Sequence, residues 1–284
     1  MRTRSGRLSA LAIGLVAGAG MAFAYVGAGD LRAAGLPDPG RPTTTAATTP
    51  TTTTTTKPPP PPPVLPFNAK LHSDDIPVAG GGVRSGACSG ALIAPEWVAT
   101  AGHCFHDVNN RRISGPPPYT VTVTVGKLKV SDPGGHVAKV VDVRQSPLHD
   151  FAVVRLSAAV PDVTPLTVAD APPAVGARLK FAGWGSLSPT VRKPTDRLKR
   201  GTFTVAAVEQ LTLETQSVGD RTVTNTPCPE DSGGPFFVSN DDRTGVLVAV
   251  VNTGPPCPQP GPEIVARVDV VADWIHEQTG GTSR

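Results

Sequence analysis

From Phe67 onward the chain alternates short apolar runs with clusters of Gly, Pro, Asp and Asn. The runs fall at Ala91–Ile93, Tyr119–Val125, His136–Val143, Phe151–Leu156, Arg178–Ala182, Gly201–Val205, Phe236–Val238 and Gly245–Val251. Within the second run Val121, Val123 and Val125 alternate with threonines, the period-two signature of a half-buried strand. Many short strands separated by turn signals predict an all-β sandwich or barrel rather than a parallel α/β sheet. Only the end of the chain reads as helix. Val270, Val271, Trp274 and Ile275 recur at helical spacing, with Asp269 as the expected cap and Gly280-Gly281 as the stop.

The first 66 residues have another pattern. Met1–Arg7 carries three arginines, and no charge follows until Asp30. Ala22-Phe23-Ala24 fits the small-x-small site of a signal peptide, which predicts cleavage after Ala24. The uncharged stretch also approaches the ~20 residues that span a bilayer, so an uncleaved anchor through residues 8–29 is the competing reading. Either way the remainder lies outside the cytoplasm, secreted or tethered to the membrane. Thr43–Thr56 is almost all threonine and Pro58–Pro63 is unbroken proline. Such a segment cannot bury enough apolar surface to offset its chain entropy, and its prolines extend as a spacer of ~3.1 Å per residue. The expected organisation is therefore a signal peptide or anchor at 1–35, a disordered linker at 36–66 and a folded domain at 67–284.

Charge removes one class of function. The net charge is +3, but six of the Lys/Arg residues lie within residues 1–63. Beyond Pro63 there are 20 basic and 21 acidic residues, so the folded part lacks the basic stripe that nucleic acid requires. The four cysteines, Cys88, Cys104, Cys228 and Cys257, allow three pairings. Their spacing does not match a zinc site, and an even count behind an export signal favours two disulfides. No metal and no cofactor are expected.

Three segments carry chemistry. CPEDSGGP, Cys228–Pro235, places Ser232 among small residues that let backbone N–H groups approach a carbonyl. His103 sits in TAGHC and Asp150 in HDFAVVRL. A serine to attack, an imidazole to take its proton and a carboxylate to orient the imidazole are what acyl transfer needs. With these flanks, the chain resembles the chymotrypsin/trypsin-like serine proteases, in their bacterial, secreted or surface-anchored type, over roughly Gly86–Gln278. CSGALIAPEWVATAGHC resembles the family's histidine segment, HDFAVVRL its aspartate segment, FAGWG its glycine–tryptophan–glycine turn, CPEDSGGP its serine segment and GPEIVARV a strand lining the specificity pocket. The resemblance implies two six-stranded antiparallel β-barrels with a C-terminal helix. It also implies Cys88–Cys104 and Cys228–Cys257 disulfides, and Ser232, His103 and Asp150 as the triad of an endopeptidase acting on protein or peptide substrates.

The departures from the pattern matter as much. Glu230 stands where the family has a glycine whose N–H, with that of Ser232, forms the oxyanion hole. Glutamate lacks the conformational freedom of glycine, so turnover is expected to be weak or conditional, and a catalytically impaired binding protein is the alternative. The family's activated amino terminus has no counterpart, because Ile76-Pro77 is too close to Cys88, which leaves Asp231 without that partner. Thr226 is expected at the base of the specificity pocket, where an aspartate would select Arg or Lys, with Gly254 and Glu263 lining it. Glu263 either attracts a basic side chain or fills the pocket, and the expected preference before the scissile bond is for small or uncharged residues.

Overall fold

The computed structural model describes residues 64–280. The leader, nearly all of the linker and Gly281 lie outside these residues, and so do the cleavage and anchor readings. Strands β1 (Asn68–Pro77), β2 (Val83–Ala94), β3 (Trp97–Thr100), β4 (Thr120–Val125), β5 (His136–Gln145) and β6 (Ala152–Leu156) close into a barrel of order β1-β2-β3-β6-β5-β4. A two-residue strand, β7 (Thr167–Val168), leads to β8 (Arg178–Gly183), β9 (Lys199–Val208), β10 (Thr212–Ser217), β11 (Pro235–Val238), β12 (Val246–Thr253) and β13 (Glu263–Arg267). These six form the second antiparallel barrel, closed by the β11–β12 pairing, and β7 adds to β12 in parallel.

The alternation expected of Tyr119–Val125 is present in β4, where Val121, Val123 and Val125 are buried. Strands β1 and β10 contain no apolar run and were not legible as such. NAKLHSDDIP is half polar, and it becomes a strand because β2 and β4 satisfy its backbone on both edges. Phe181, Phe203 and Phe236 fill the second barrel with ring centroids 5.0–6.1 Å apart. Val64–Pro66 precede β1, and the Leu65 N–H donates to the Asp242 carbonyl at 2.5 Å.

The C-terminal helix, α1 (Ala272–Thr279), starts without a side-chain cap. Asp269, the expected cap, instead pairs with the guanidinium of Arg267, at 3.0 Å to Nε and 2.5 Å to Nη2. A charged fork two residues away outcompetes a neutral backbone N–H. Gly280 ends the helix in the left-handed region at φ 73°, its N–H donating to the His276 carbonyl.

Candidate active site

His103 lies in a 3₁₀ turn, Gly102–Cys104, directly after β3. The Cys88–Cys104 disulfide ties that turn to β2. Asp150 lies in the turn between β5 and β6, which β3 and β6 pairing brings alongside. Its Oδ1 accepts the His103 backbone N–H at 2.7 Å, and its Oδ2 is 2.6 Å from His103 Nδ1. Burial pushes the Asp150 carboxyl up, but hydrogen bonds and charge from His103, with the Arg112 charge, hold it below the usual carboxylate range. An ionised carboxylate only accepts, so Nδ1 donates and Nε2 is left as the acceptor facing away. His149, next to Asp150 in the chain, sits half-buried in the same turn. Its Nε2 is 2.6 Å from the Arg267 carbonyl and its Nδ1 3.1 Å from Ser146 Oγ.

Ser232 sits on the second barrel, just before β11, on a loop tied at its start by the Cys228–Cys257 disulfide. The loop is pinned to the first barrel through β2: the Ser89 N–H donates to the Ser232 carbonyl at 2.8 Å, and Ser89 Oγ to the Glu230 carbonyl at 3.4 Å. Gly233 has φ 79°, and a Cβ there would fall on Thr100 Oγ1, so no other residue fits this turn. Ser232 Oγ makes no hydrogen bond among the described residues. The backbone N–H groups of Ser232 and Glu230 likewise donate to no described residue.

Glu230 takes up the left-handed region at φ 75° although it is not glycine. The Pro229 carbonyl accepts the Ser186 N–H at 2.8 Å, and in a trans peptide that turns the Glu230 N–H to the opposite side. Its side chain carries the consequence of the substitution. Glu230 Oε2 is buried with no hydrogen-bond partner among the described residues. Burial pushes this carboxyl up, against the pull of Arg192, His72 and Lys70.

The residue before the serine is part of a buried charge pair. Asp231 and Lys199 are 0% and 2% exposed, with Nζ 2.5 Å from Oδ2. Asp231 Oδ2 also accepts the Cys228 N–H at 2.9 Å, and Oδ1 the Gly185 N–H at 2.6 Å. Burial pushes the Asp231 carboxyl up and the Lys199 ammonium down, and each charge is the largest force opposing the shift of the other. Lys199 was missed in the sequence. The signal that could have found it is strand alternation, which puts Lys199 on the same inward face of β9 as Phe203 and Val205.

The same carboxylate explains the glycine–tryptophan–glycine turn. A Cβ added to Gly183 or Gly185 would lie inside Asp231, while Trp184 between them is buried with its Nε1 donating to Asn68 Oδ1 at 2.8 Å. Gly185→Ala is expected to destabilise the domain by about 3 kcal/mol, because the obstructing group is pinned and cannot move aside. For a domain of this size that lowers the thermal midpoint by about 6–12 °C. A scanning calorimetry shift under about 2 °C would show the turn to be looser than described.

His103, Ser232 and Glu230 line two adjoining clefts. One, of about 420 Å³, is also lined by Gly254, Glu263 and Cys228. The other, of about 310 Å³, is also lined by Arg84, Arg192 and His106. Thr226, expected at the pocket base, does not line the first cleft. It is fully buried and its hydroxyl donates to the Thr222 carbonyl at 2.7 Å, so its polar group is turned back into its own loop. Glu263 is 1% exposed and its Oε1 is held by Arg221 Nη2. A Cβ on Gly254 would overlap its carboxylate, so Glu263 lies directly behind Gly254. Arg221, a second residue missed in the sequence, thereby neutralises the acid that faces this cleft.

Two antiparallel six-stranded barrels with a serine, a histidine and an aspartate at their junction define a class of hydrolase fold. The Trypsin family model matches residues 66–275, and the chain belongs to that family. It is 31% identical over 220 residues to trypsin 5G1 of Aedes aegypti, covering 68% of this chain and 75% of that protein. It is 28% identical over 216 residues to transmembrane protease serine 5 of Homo sapiens, covering 67% of this chain but 46% of that protein. It is 27% identical to transmembrane protease serine 7 of Mus musculus, covering 26% of that protein. The chain thus spans less than half the length of these transmembrane relatives. Among solved structures it is similar to neuropsin, a serine protease expressed in the limbic system of mouse brain, with a TM-score of 0.58 at 20% identity, over 76% of this chain and 95% of that one. All of these relatives are animal proteins, and they lend no support to the bacterial type.

Proposed function

We propose that the chain is a serine endopeptidase that hydrolyses peptide bonds through an acyl-enzyme on Ser232. The observation that carries the reading is the 2.6 Å contact of His103 Nδ1 with Asp150 on a cleft that Ser232 also lines. His103 Nε2 takes the Ser232 hydroxyl proton as Oγ bonds to the scissile carbonyl carbon. The same proton passes to the leaving amine when the C–N bond breaks. Water then repeats the sequence and releases the acid, with the proton returning to Ser232. The N–H groups of Ser232 and Glu230, which donate to no other described residue, are the donors for the oxyanion.

Residues 1–35 serve export or anchoring and the Thr/Pro-rich residues 36–63 space the domain from its point of attachment, while Leu65, 2% exposed, already belongs to the folded domain. Substrates are proteins or peptides, with a small or uncharged residue before the scissile bond, since the Glu263 charge behind Gly254 is balanced by Arg221. A fluorophosphonate probe tests the reading. It should label the wild type and leave Ser232→Ala unlabelled; equal labelling of both would remove Ser232 from the mechanism.

Turnover is weak or conditional, and Glu230 is the residue on which this turns. The left-handed backbone costs a non-glycine residue ~1–2 kcal/mol, part of which glycine would return as unfolded-state entropy. Glu230→Gly is therefore expected to stabilise the domain by about 0.5–1 kcal/mol. It should also raise kcat several-fold, since the glutamate side chain that lines the cleft beside Ser232 is removed. An unchanged or lower kcat, measured on denatured casein, would show that Glu230 is not what limits the site.

A further inference from the structure

Asp231 has no exposed surface, and every group that meets its carboxylate comes from inside the fold. Of those groups only Lys199 carries a full opposite charge within hydrogen-bond reach. Its ammonium also donates to the Ser186 carbonyl at 3.2 Å, and the Ser186 N–H in turn holds the Pro229 carbonyl at 2.8 Å. One ammonium group therefore ties together three stretches: the turn at 185–186, the start of the serine loop at 228–229, and Asp231 beside the nucleophile. The two N–H groups that face no described partner, those of Glu230 and Ser232, flank Asp231 on either side.

Burying two charges at 0% and 2% exposure is worthwhile only when the pair and its hydrogen bonds are complete. Here they are. Removing the ammonium would leave a carboxylate buried without a counter-charge. It must then bind a proton, which weakens its charge-assisted bonds to the Cys228 and Gly185 N–H groups, or be carried outward, and either relief loosens the loop that bears it. That loop is Cys228–Gly233, so relief of Asp231 would displace both proposed oxyanion donors. The strained φ of 75° at Glu230 lies in the same loop, and a strained residue persists only while its surroundings hold it.

We propose that Lys199 is the internal positioning residue of this protease: its ammonium, buried against Asp231, holds the Cys228–Gly233 loop in its working shape while the chain from Val64 to Gly280 is intact. No amino terminus released by cleavage is needed for that loop to form, because the place beside Asp231 is already filled from β9. The proposal rests on the assignment of Ser232 as nucleophile, and the experiment separates the two.

The full chain is purified, its amino terminus is sequenced to establish that the chain is uncut between Val64 and Cys88, and the rate of fluorophosphonate labelling is measured. Wild type should label without cleavage. Lys199→Met should label about 10²-fold more slowly per folded molecule, with Lys199→Arg recovering most of the rate, and folding checked by near-UV circular dichroism at the assay temperature. If Lys199→Met does not fold, the double variant Lys199→Met/Asp231→Asn removes both charges together. It should fold and still label at least tenfold more slowly than wild type. Wild-type rates in a folded Lys199→Met or in the double variant would overturn the proposal, since Lys199 would then only balance a charge. So would an intact wild type that labels only after a cut before Cys88. Labelling that persists in Ser232→Ala, or is absent from intact and cut chain alike, would overturn the serine assignment and take this proposal with it.

Discussion

Ser232→Ala is expected to lower kcat by about 10⁶-fold while leaving the thermal midpoint within about 2 °C of wild type. The size follows from losing a member of a unit in which nucleophile and base act together, so that removal of either costs nearly the whole rate. The small change in stability follows from the hydrogen bonds. Ser232 is held by its backbone, through the Ser89 N–H on its carbonyl, and its Oγ bonds to no described residue. Truncation therefore strands no buried partner, and changes of that kind fall within ±0.5 kcal/mol. Casein hydrolysis and calorimetry on the same preparation check both halves. A variant that keeps more than about a thousandth of the activity would place the nucleophile elsewhere.

Asp150→Asn should cost about 10⁴-fold in kcat with little change in the geometry of the turn. The aspartate accepts two hydrogen bonds from His103, one from the backbone and one at Nδ1. An asparagine can accept only one of them. If its oxygen keeps the backbone N–H, its amide N–H donates to Nδ1, which puts the imidazole proton on Nε2 and leaves nothing to take the proton of Ser232. The substitution also has a pH signature. The Asp150 carboxyl is held below its ordinary value in the folded chain, so its contribution to stability is complete above the unfolded value of 3.8 and is lost as pH falls through the folded one. The stability difference between wild type and Asp150→Asn, read from urea midpoints, should shrink on acidification below 3.8. A difference that stays constant through that range would mean that the carboxylate gains nothing from His103.

How much of this was legible before folding depends on the range of the signal. The alternating valines of β4 and the apolar runs of β6, β8, β11 and β12 are local patterns, readable within a window of a few residues. Strands β1 and β10 were not legible, because their burial comes from partners at other places in the chain. Asp269 misled for a related reason: by spacing it was the cap, but Arg267 takes both of its oxygens. The flanks of His103, Asp150 and Ser232 carried their candidacy, while the 2.6 Å approach of His103 to Asp150 needed β3 and β6 to pair.

CPEDSGGP shows where the two kinds of information divide. Its composition establishes that a turn of small residues presents Ser232, and that Glu230 breaks the pattern, because side-chain size and glycine content are properties of the residues themselves. That Glu230 nonetheless adopts a φ of 75°, that Asp231 finds a buried lysine 32 residues away, and that Arg221 neutralises Glu263 are properties of contacts. Charge compensation in a low-dielectric interior depends on distances of a few ångströms between segments far apart in the chain, and those distances exist only once both barrels have closed.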